Sequence, residues 1–208
     1  MSSPDTDPRQ LLLAAKAGST EALGQLLGMY HDYLTLLARL EIGRRLQSKV
    51  DASDIVQEAF LSAHRGFREF RGVTERELIV WLRQILARII STTVRGYLGT
   101  QRRDLKLEQE LMVGLDRSSS ALNGGLVLSH STPSEQAMQR EQAVVLANAI
   151  NRLSEHYQEV IVLHHLEGLT LSEVAQRLGR TRDGVSKIWA RALIQLRRAL
   201  EDNLDSTE

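Results

Sequence analysis

The sequence has 208 residues and no cysteine. That absence excludes a disulfide scaffold, thiolate metal sites and cysteine nucleophiles, and it suits a reducing cytoplasm. Net charge is also missing, because 26 Lys and Arg balance 26 Asp and Glu. The whole-chain balance therefore gives no sign of a nucleic-acid partner. No apolar run approaches the roughly 20 residues that a membrane helix needs. The first ten residues, MSSPDTDPRQ, are acidic and polar where a signal peptide would be basic and then apolar. A cytoplasmic location without membrane insertion is expected. Aromatic residues are scarce, at 4% against 42% hydrophobic, which predicts aliphatic cores in small domains. The length accommodates one large domain or two small ones.

The charges that cancel overall are sorted along the chain. Residues 8–98 carry thirteen basic and nine acidic groups, and residues 138–202 carry nine and eight. The compensating acids lie in the termini and in the middle stretch. Alternating runs long enough for a strand are absent, and there is no internal repeat. Leu12, Leu13, Leu23, Leu26, Leu27, Tyr30, Leu34 and Leu37 recur at steps suited to amphipathic helices, interrupted by Gly18-Ser19. A helix is predicted from Asp51, its N-cap, to Phe67. A loop from Arg68 to Thr74 follows, then a long helix over Glu75–Tyr97. The chain reads as all-α.

Between Asp116 and Thr132 the sequence DRSSSALNGGLVLSHST has linker composition. The predicted organisation is a domain over 8–98, a flexible linker over 99–132 and a second domain over 133–202. In the second domain Thr132-Pro133-Ser134-Glu135 reads as a helix start. Helices are predicted over 133–152, 154–166, 170–178 and 181–201.

The sharpest local signal runs from Thr170 to Leu193, TLSEVAQRLGRTRDGVSKIWARAL. Thr170 and Glu173 form a capping box. Ala175 is small where a second helix must cross, and Gly179 sits where positive φ suits only glycine. Val185 and Ile188 take the inward positions of the second helix. This spacing is what a helix-turn-helix requires, and an ordinary helical hairpin seldom meets all four steric positions. Thr181, Arg182, Asp183, Ser186, Lys187, Ala190 and Arg191 then lie near the positive end or outward face, suited to base edges and phosphates. Asp183 could accept from a cytosine amino group. Gly184 lowers helix propensity by up to roughly 1 kcal/mol, which predicts a second helix ordered partly by DNA.

A second constellation is the helix from Asp51 to Leu61. Ile55, Val56, Ala59, Phe60 and Ala63 make its buried stripe, while Asp54, Gln57, Glu58 and Leu61 share the opposite face. An outward leucine among acids is expected of a docking face. Farther on, Gln84, Arg88, Ser91 and Arg95 recur at i, i+4, i+7 and i+11, a polar-basic stripe fit to follow a phosphate backbone.

The Asp51–Leu61 helix, the upstream Tyr33–Ile42 helix, Phe67-Arg68-Glu69-Phe70-Arg71-Gly72 and Trp81-Leu82 together resemble region 2 of bacterial RNA polymerase sigma factors. Leu153-Ser154, Val160-Ile161-Val162-Leu163 and Leu166-Glu167-Gly168-Leu169-Thr170, with the helix-turn-helix, resemble their region 4. Two domains and a short linker are similar to the extracytoplasmic-function (ECF) type of the sigma-70 family. The resemblance implies that Asp54, Gln57, Glu58 and Leu61 dock on the clamp of core RNA polymerase. It implies that the loop with Phe70 and Arg71 captures a flipped base of the minus-ten promoter element, and that Gln84, Arg88, Ser91 and Arg95 follow the same element. Thr181, Arg182, Asp183, Ser186, Lys187 and Arg191 would read the minus-thirty-five element. The partners so implied are RNA polymerase core and promoter DNA, with an anti-sigma factor as a further candidate.

Other readings stand beside these. Trp81 reads either as core, from its neighbours Val80 and Leu82, or as a platform for an unpaired base. His164-His165 invites a metal reading, but adjacent residues on a helix point about 100° apart, and His64, His130 and His156 supply no ligand spacing. No metal or cofactor is expected. Asp51 and Asp54 serve a cap and a docking face better than acid–base catalysis, since no nucleophile or phosphate-binding glycine loop accompanies them. No catalytic residue is expected, and the chain is not read as an enzyme. A polymerase-independent helix-turn-helix regulator is the alternative function. A recombinase would need a carboxylate triad or a catalytic Ser or Tyr setting that the sequence does not offer.

Overall fold

A computed structural model of the chain describes residues 7–46, 50–97, 104–124 and 143–205. All regular structure among the described residues is helical. In chain order the helices are α1 (Pro8–Lys16), α2 (Thr20–Met29), α3 (His31–Leu46), α4 (Ala52–Gly66), α5 (Glu75–Tyr97), α6 (Leu105–Gly124), α7 (143–151), α8 (Glu155–Ile161), α9 (Leu171–Arg177) and α10 (Arg182–Asp205). Two compact units result, Met1–Arg117 and Ser118–Glu208.

In the first unit the helix starts follow local chemistry. Asp7 caps α1 by accepting from the Arg9 N–H at 2.9 Å, with Pro8 in the first turn. Gly18 ends the helix in the left-handed region at φ +103. Ser19 then caps α2, its hydroxyl accepting from Ala22 N–H at 3.2 Å. α3 is the centre of this unit. From Tyr33 to Ile42 every residue but Arg39 is buried, as expected of a helix enclosed on all sides. α4 and α5 pack on it and on each other. Each fully buried leucine of this core contributes about 1.5–3 kcal/mol. The buried Arg83 of α5 donates to the Tyr33 hydroxyl at 3.3 Å and pairs with Asp116 at 3.3 Å, so its charge does not lie uncompensated.

The linker reading is corrected in part. Residues 105–124 form α6, and Leu111, Leu115 and Leu122 on it are buried, as are Ser118 and Ser119. Three leucines at four- and seven-residue spacing make a helical stripe, and burying that stripe outweighs the serine-rich composition. The predicted helix start at 132–135 and the remainder of the linker lie outside the described residues.

The second unit is built round Val160, Leu163, Val174, Ala175 and Val185, with Leu169, Leu171, Leu178, Ile188 and Trp189 packed against them. α8 does not run on as an α-helix. Val162–Leu166 forms a π turn, closed by Glu167 N–H donating to the Val162 carbonyl at 2.9 Å. The helix-turn-helix is then α9 and α10. Gly179, at φ +62, makes the turn between them, where any other residue would be strained.

Candidate protein and nucleic-acid interfaces

α4 begins at Asp51, whose carboxylate accepts from Ser53 N–H at 2.8 Å. Its buried face is Ala52, Ile55, Val56, Ala59 and Ala63, with Phe60 half-buried. The opposite face brings Asp54, Gln57, Glu58 and Leu61 together in solvent, and Leu61 is 52% exposed. Asp54 and Glu58 stand four residues apart with like charge, a spacing that disfavours a free helix slightly. A basic partner would relieve that repulsion while covering the leucine.

The loop before α5 is more tightly built than its sequence suggests. Phe67, Phe70 and Trp81 form an aromatic cluster: Phe70 stacks on Phe67 with centroids 5.8 Å apart and lies 4.9 Å from Trp81. Phe70 is therefore buried among rings and not presented as a free side chain. Trp81 belongs to this cluster and keeps part of its surface in solvent. Lys16 stands 5.7 Å over the Phe70 ring. Arg71 is exposed.

A capping box that sequence reading passed over closes the loop. Glu77 accepts from the Val73 and Thr74 N–H groups at 2.8 and 2.9 Å and from the Thr74 hydroxyl, while that hydroxyl accepts from Glu77 N–H. These bonds hold the Glu77 carboxyl below the usual carboxylate range, the Thr74 hydroxyl foremost. The signal was present as Thr-x-x-Glu at 74–77.

Of the stripe on α5, Gln84 and Arg88 are exposed and Arg95 is half-exposed. Ser91 is fully buried and drops out as a DNA contact. The stripe runs along the border of the buried face, and a short side chain there is covered where a long one reaches past. Arg88 donates to the Ser62 hydroxyl of α4 at 3.2 Å. Arg95 donates to the Ser91 carbonyl and the Thr92 hydroxyl. The Arg88 guanidinium is thereby held against α4 and that of Arg95 along α5 itself.

In the second unit Thr170 and Glu173 form the predicted box in full. The Thr170 hydroxyl and N–H both donate to the Glu173 carboxylate at 2.7 Å and hold its pKa below the ordinary range. Arg182, Asp183, Lys187 and Arg191 are exposed on α10, and Ser186 is half-exposed. Thr181 is the cap of this helix, its hydroxyl accepting from Gly184 N–H at 3.1 Å. A Cβ at 184 would stand 3.0 Å from that hydroxyl oxygen. Gly184 thus makes room for the cap, and α10 runs through it unbroken.

The π turn brings both neighbouring histidines to Trp189, with ring centroids at 5.5 Å for His164 and 6.0 Å for His165. His164 Nδ1 lies 2.6 Å from the Leu169 carbonyl, and the Trp189 indole donates to His165 Nε2 at 3.0 Å. Among the described residues no group of three His, Asp or Glu side chains could hold a metal ion. No helix among them is long and apolar enough to cross a membrane.

Comparison with known families matches both units. The family described as Sigma-70 region 2 covers residues 29–102, and Sigma-70, region 4 covers residues 149–198. Together they span more than half of the chain. The ECF RNA polymerase sigma factor BldN of Streptomyces coelicolor is 24% identical over 93% of this chain and 66% of its own length. The ECF RNA polymerase sigma-E factor of Haemophilus influenzae is 27% identical over 80% of both. The ECF RNA polymerase sigma factor SigM of Mycobacterium tuberculosis is 27% identical over 92% of this chain and 83% of its own. Among solved structures, CnrH in complex with the cytosolic domain of CnrY aligns with 97% of this chain and all of that one at 21% identity, with a TM-score of 0.33, too loose a likeness to argue from. With region 2 and region 4 in order and relatives of one kind along most of its length, the chain belongs to the sigma-70 family of RNA polymerase sigma factors, ECF type.

Proposed function

We propose that this protein binds core RNA polymerase, directs it to specific promoters and assists strand opening. The observation that carries the reading is the pairing of two accessible faces of different chemistry on the two matched regions. One is the acidic, leucine-bearing face of α4; the other is the basic outward face of α10. A stand-alone regulator would need the second but has no use for Leu61 among acids.

In this reading Asp54, Gln57, Glu58 and Leu61 dock on the polymerase. Arg71, Gln84, Arg88 and Arg95 follow the minus-ten strand, and Thr181, Arg182, Asp183, Ser186, Lys187 and Arg191 serve the minus-thirty-five element. Flipping a base out of the duplex costs a few kcal/mol, which contacts along α5 and its loop would offset. The chain makes no bond itself; core polymerase does the chemistry, in the cytoplasm. An anti-sigma partner would act by covering one of the two faces.

Run-off transcription with purified core polymerase on a promoter library tests the function. Selective initiation on a subset of templates is expected, and initiation on none would reject the reading. The double variant Asp54→Lys with Glu58→Lys is expected to lose core binding in a pull-down while its helical circular dichroism persists. Unchanged affinity would sink the docking assignment.

A further inference from the structure

The π turn at Val162–Leu166 is the one irregular helical segment among the described residues of the second unit, and such turns frequently mark functional positions. Within it two consecutive histidines meet one indole, that of Trp189. The two are held differently. The Leu169 carbonyl only accepts, so His164 carries its proton on Nδ1 and can keep that bond whether or not Nε2 is protonated. The Trp189 indole only donates, so His165 Nε2 must be unprotonated to receive it at 3.0 Å.

Trp189 lies on α10, between Lys187 and Arg191, and its ring packs on the core of the helix-turn-helix. The bond to His165 is thus a polar tie between the recognition helix and the turn that precedes α9. We propose that His165 is a positioning residue for promoter reading, one that holds α10 through the Trp189 indole only while Nε2 is unprotonated. The proposal rests on the sigma-factor reading for its readout in transcription, but the tie itself does not.

The surroundings favour the unprotonated ring. Burial lowers the His165 pKa from its ordinary 6.5, and the neighbouring His164 lowers it further. The other charged groups on the elements around it are engaged or face solvent. Glu167 and Arg177 pair with each other at 3.3 Å; Glu155 and Glu159 on α8, Glu173 on α9, and Lys187 and Arg191 on α10 are exposed. A histidine whose folded pKa is depressed contributes stability that is complete above 6.5. That contribution is lost as pH falls from there through the lowered folded value. Protonation would set two N–H donors against each other at the centre of the tie.

The test uses the full chain with core polymerase and a promoter chosen from the library, compared with the same promoter after its minus-thirty-five element is randomised. The ratio of initiation on the two templates is followed from about pH 8 to about pH 5.5, the span over which histidine titrates. The parent is expected to lose about three- to tenfold in that ratio on the acid side, the equivalent of one neutral hydrogen bond. His165→Gln, whose side-chain carbonyl accepts at every pH, should hold its ratio. Trp189→Phe, which removes the donor, should show a lower ratio without the acid step. A pH-independent ratio in the parent, or the same acid step in all three proteins, would overturn the proposal.

Should no template be transcribed, the sigma-factor reading fails and the tie is judged by nuclear magnetic resonance on the free chain. The Trp189 indole N–H signal should move with a midpoint below the ordinary histidine value in the parent and stay still in His165→Gln. A signal that ignores pH in the parent removes the tie.

Discussion

Gly72 shows how much a single position in the loop before α5 is asked to do. A Cβ there would collide with the Phe70 ring and come within 2.8 Å of Glu77 Cβ. Neither can step aside, because the ring is stacked among Phe67 and Trp81 and Glu77 closes the cap of α5. Gly72→Ala is therefore expected to destabilise the first unit by about 1–3 kcal/mol, read as a lower urea midpoint with unchanged slope. A variant as stable as the parent would mean that the loop yields freely. The outward set Asp54, Gln57, Glu58 and Leu61 was legible because α4 has one continuous apolar stripe to orient it. Ser91 was not, because a stripe of polar residues says nothing about which of them the neighbouring chain covers. The burial of Phe70 was hidden for a related reason: three aromatic residues separated by loop and helix give no local sign that they meet.

Helices were the easiest features to foresee, since starts and stops are local chemistry: Asp7, Ser19, Asp51 and Thr170 all act as caps where carboxylate or hydroxyl groups precede apolar periodicity. α6 was hidden by its serines, and the π turn leaves no trace in a periodicity count. Leu115 tests α6 directly. It is fully buried, so Leu115→Ala should cost about 2–5 kcal/mol in denaturant unfolding, whereas a free linker would tolerate it without measurable loss. The two capping boxes supply a pH signature. Glu77 and Glu173 have carboxyl groups held below 4.5, so each contributes stability that is complete above that value and lost as pH falls through the lowered one. Thr170→Ala removes the cap of α9 and should cost about 1 kcal/mol at neutral pH. Acid unfolding of the second unit should begin at higher pH in Glu173→Gln than in the parent only if some other carboxylate carries the transition. The expected result is a shallower acid limb, followed by circular dichroism, and an unchanged limb would show that the box carries no such share.

For the whole molecule the decisive feature is the sorting of charge. The first domain carries a modest basic excess and the second almost none, so neither alone releases many counterions on a duplex. The free chain is expected to bind promoter duplex weakly at physiological salt, and core polymerase to supply most of the affinity by bringing both domains to one DNA. A gel shift with and without core checks this, and tight sequence-specific binding by the free chain would favour the stand-alone regulator. The contact between Arg88 and Ser62 gives this balance a spatial form. It ties the basic stripe of α5 to the helix that carries Asp54 and Glu58, so attraction and repulsion toward phosphate stand on one packed pair of helices. A bacterial chromosome offers millions of competing random sites for every true one. On the docking proposed for Asp54 and Glu58, a factor that DNA holds poorly until polymerase masks its acids would not be soaked up by that excess, and it would stay free for the enzyme it is meant to reach.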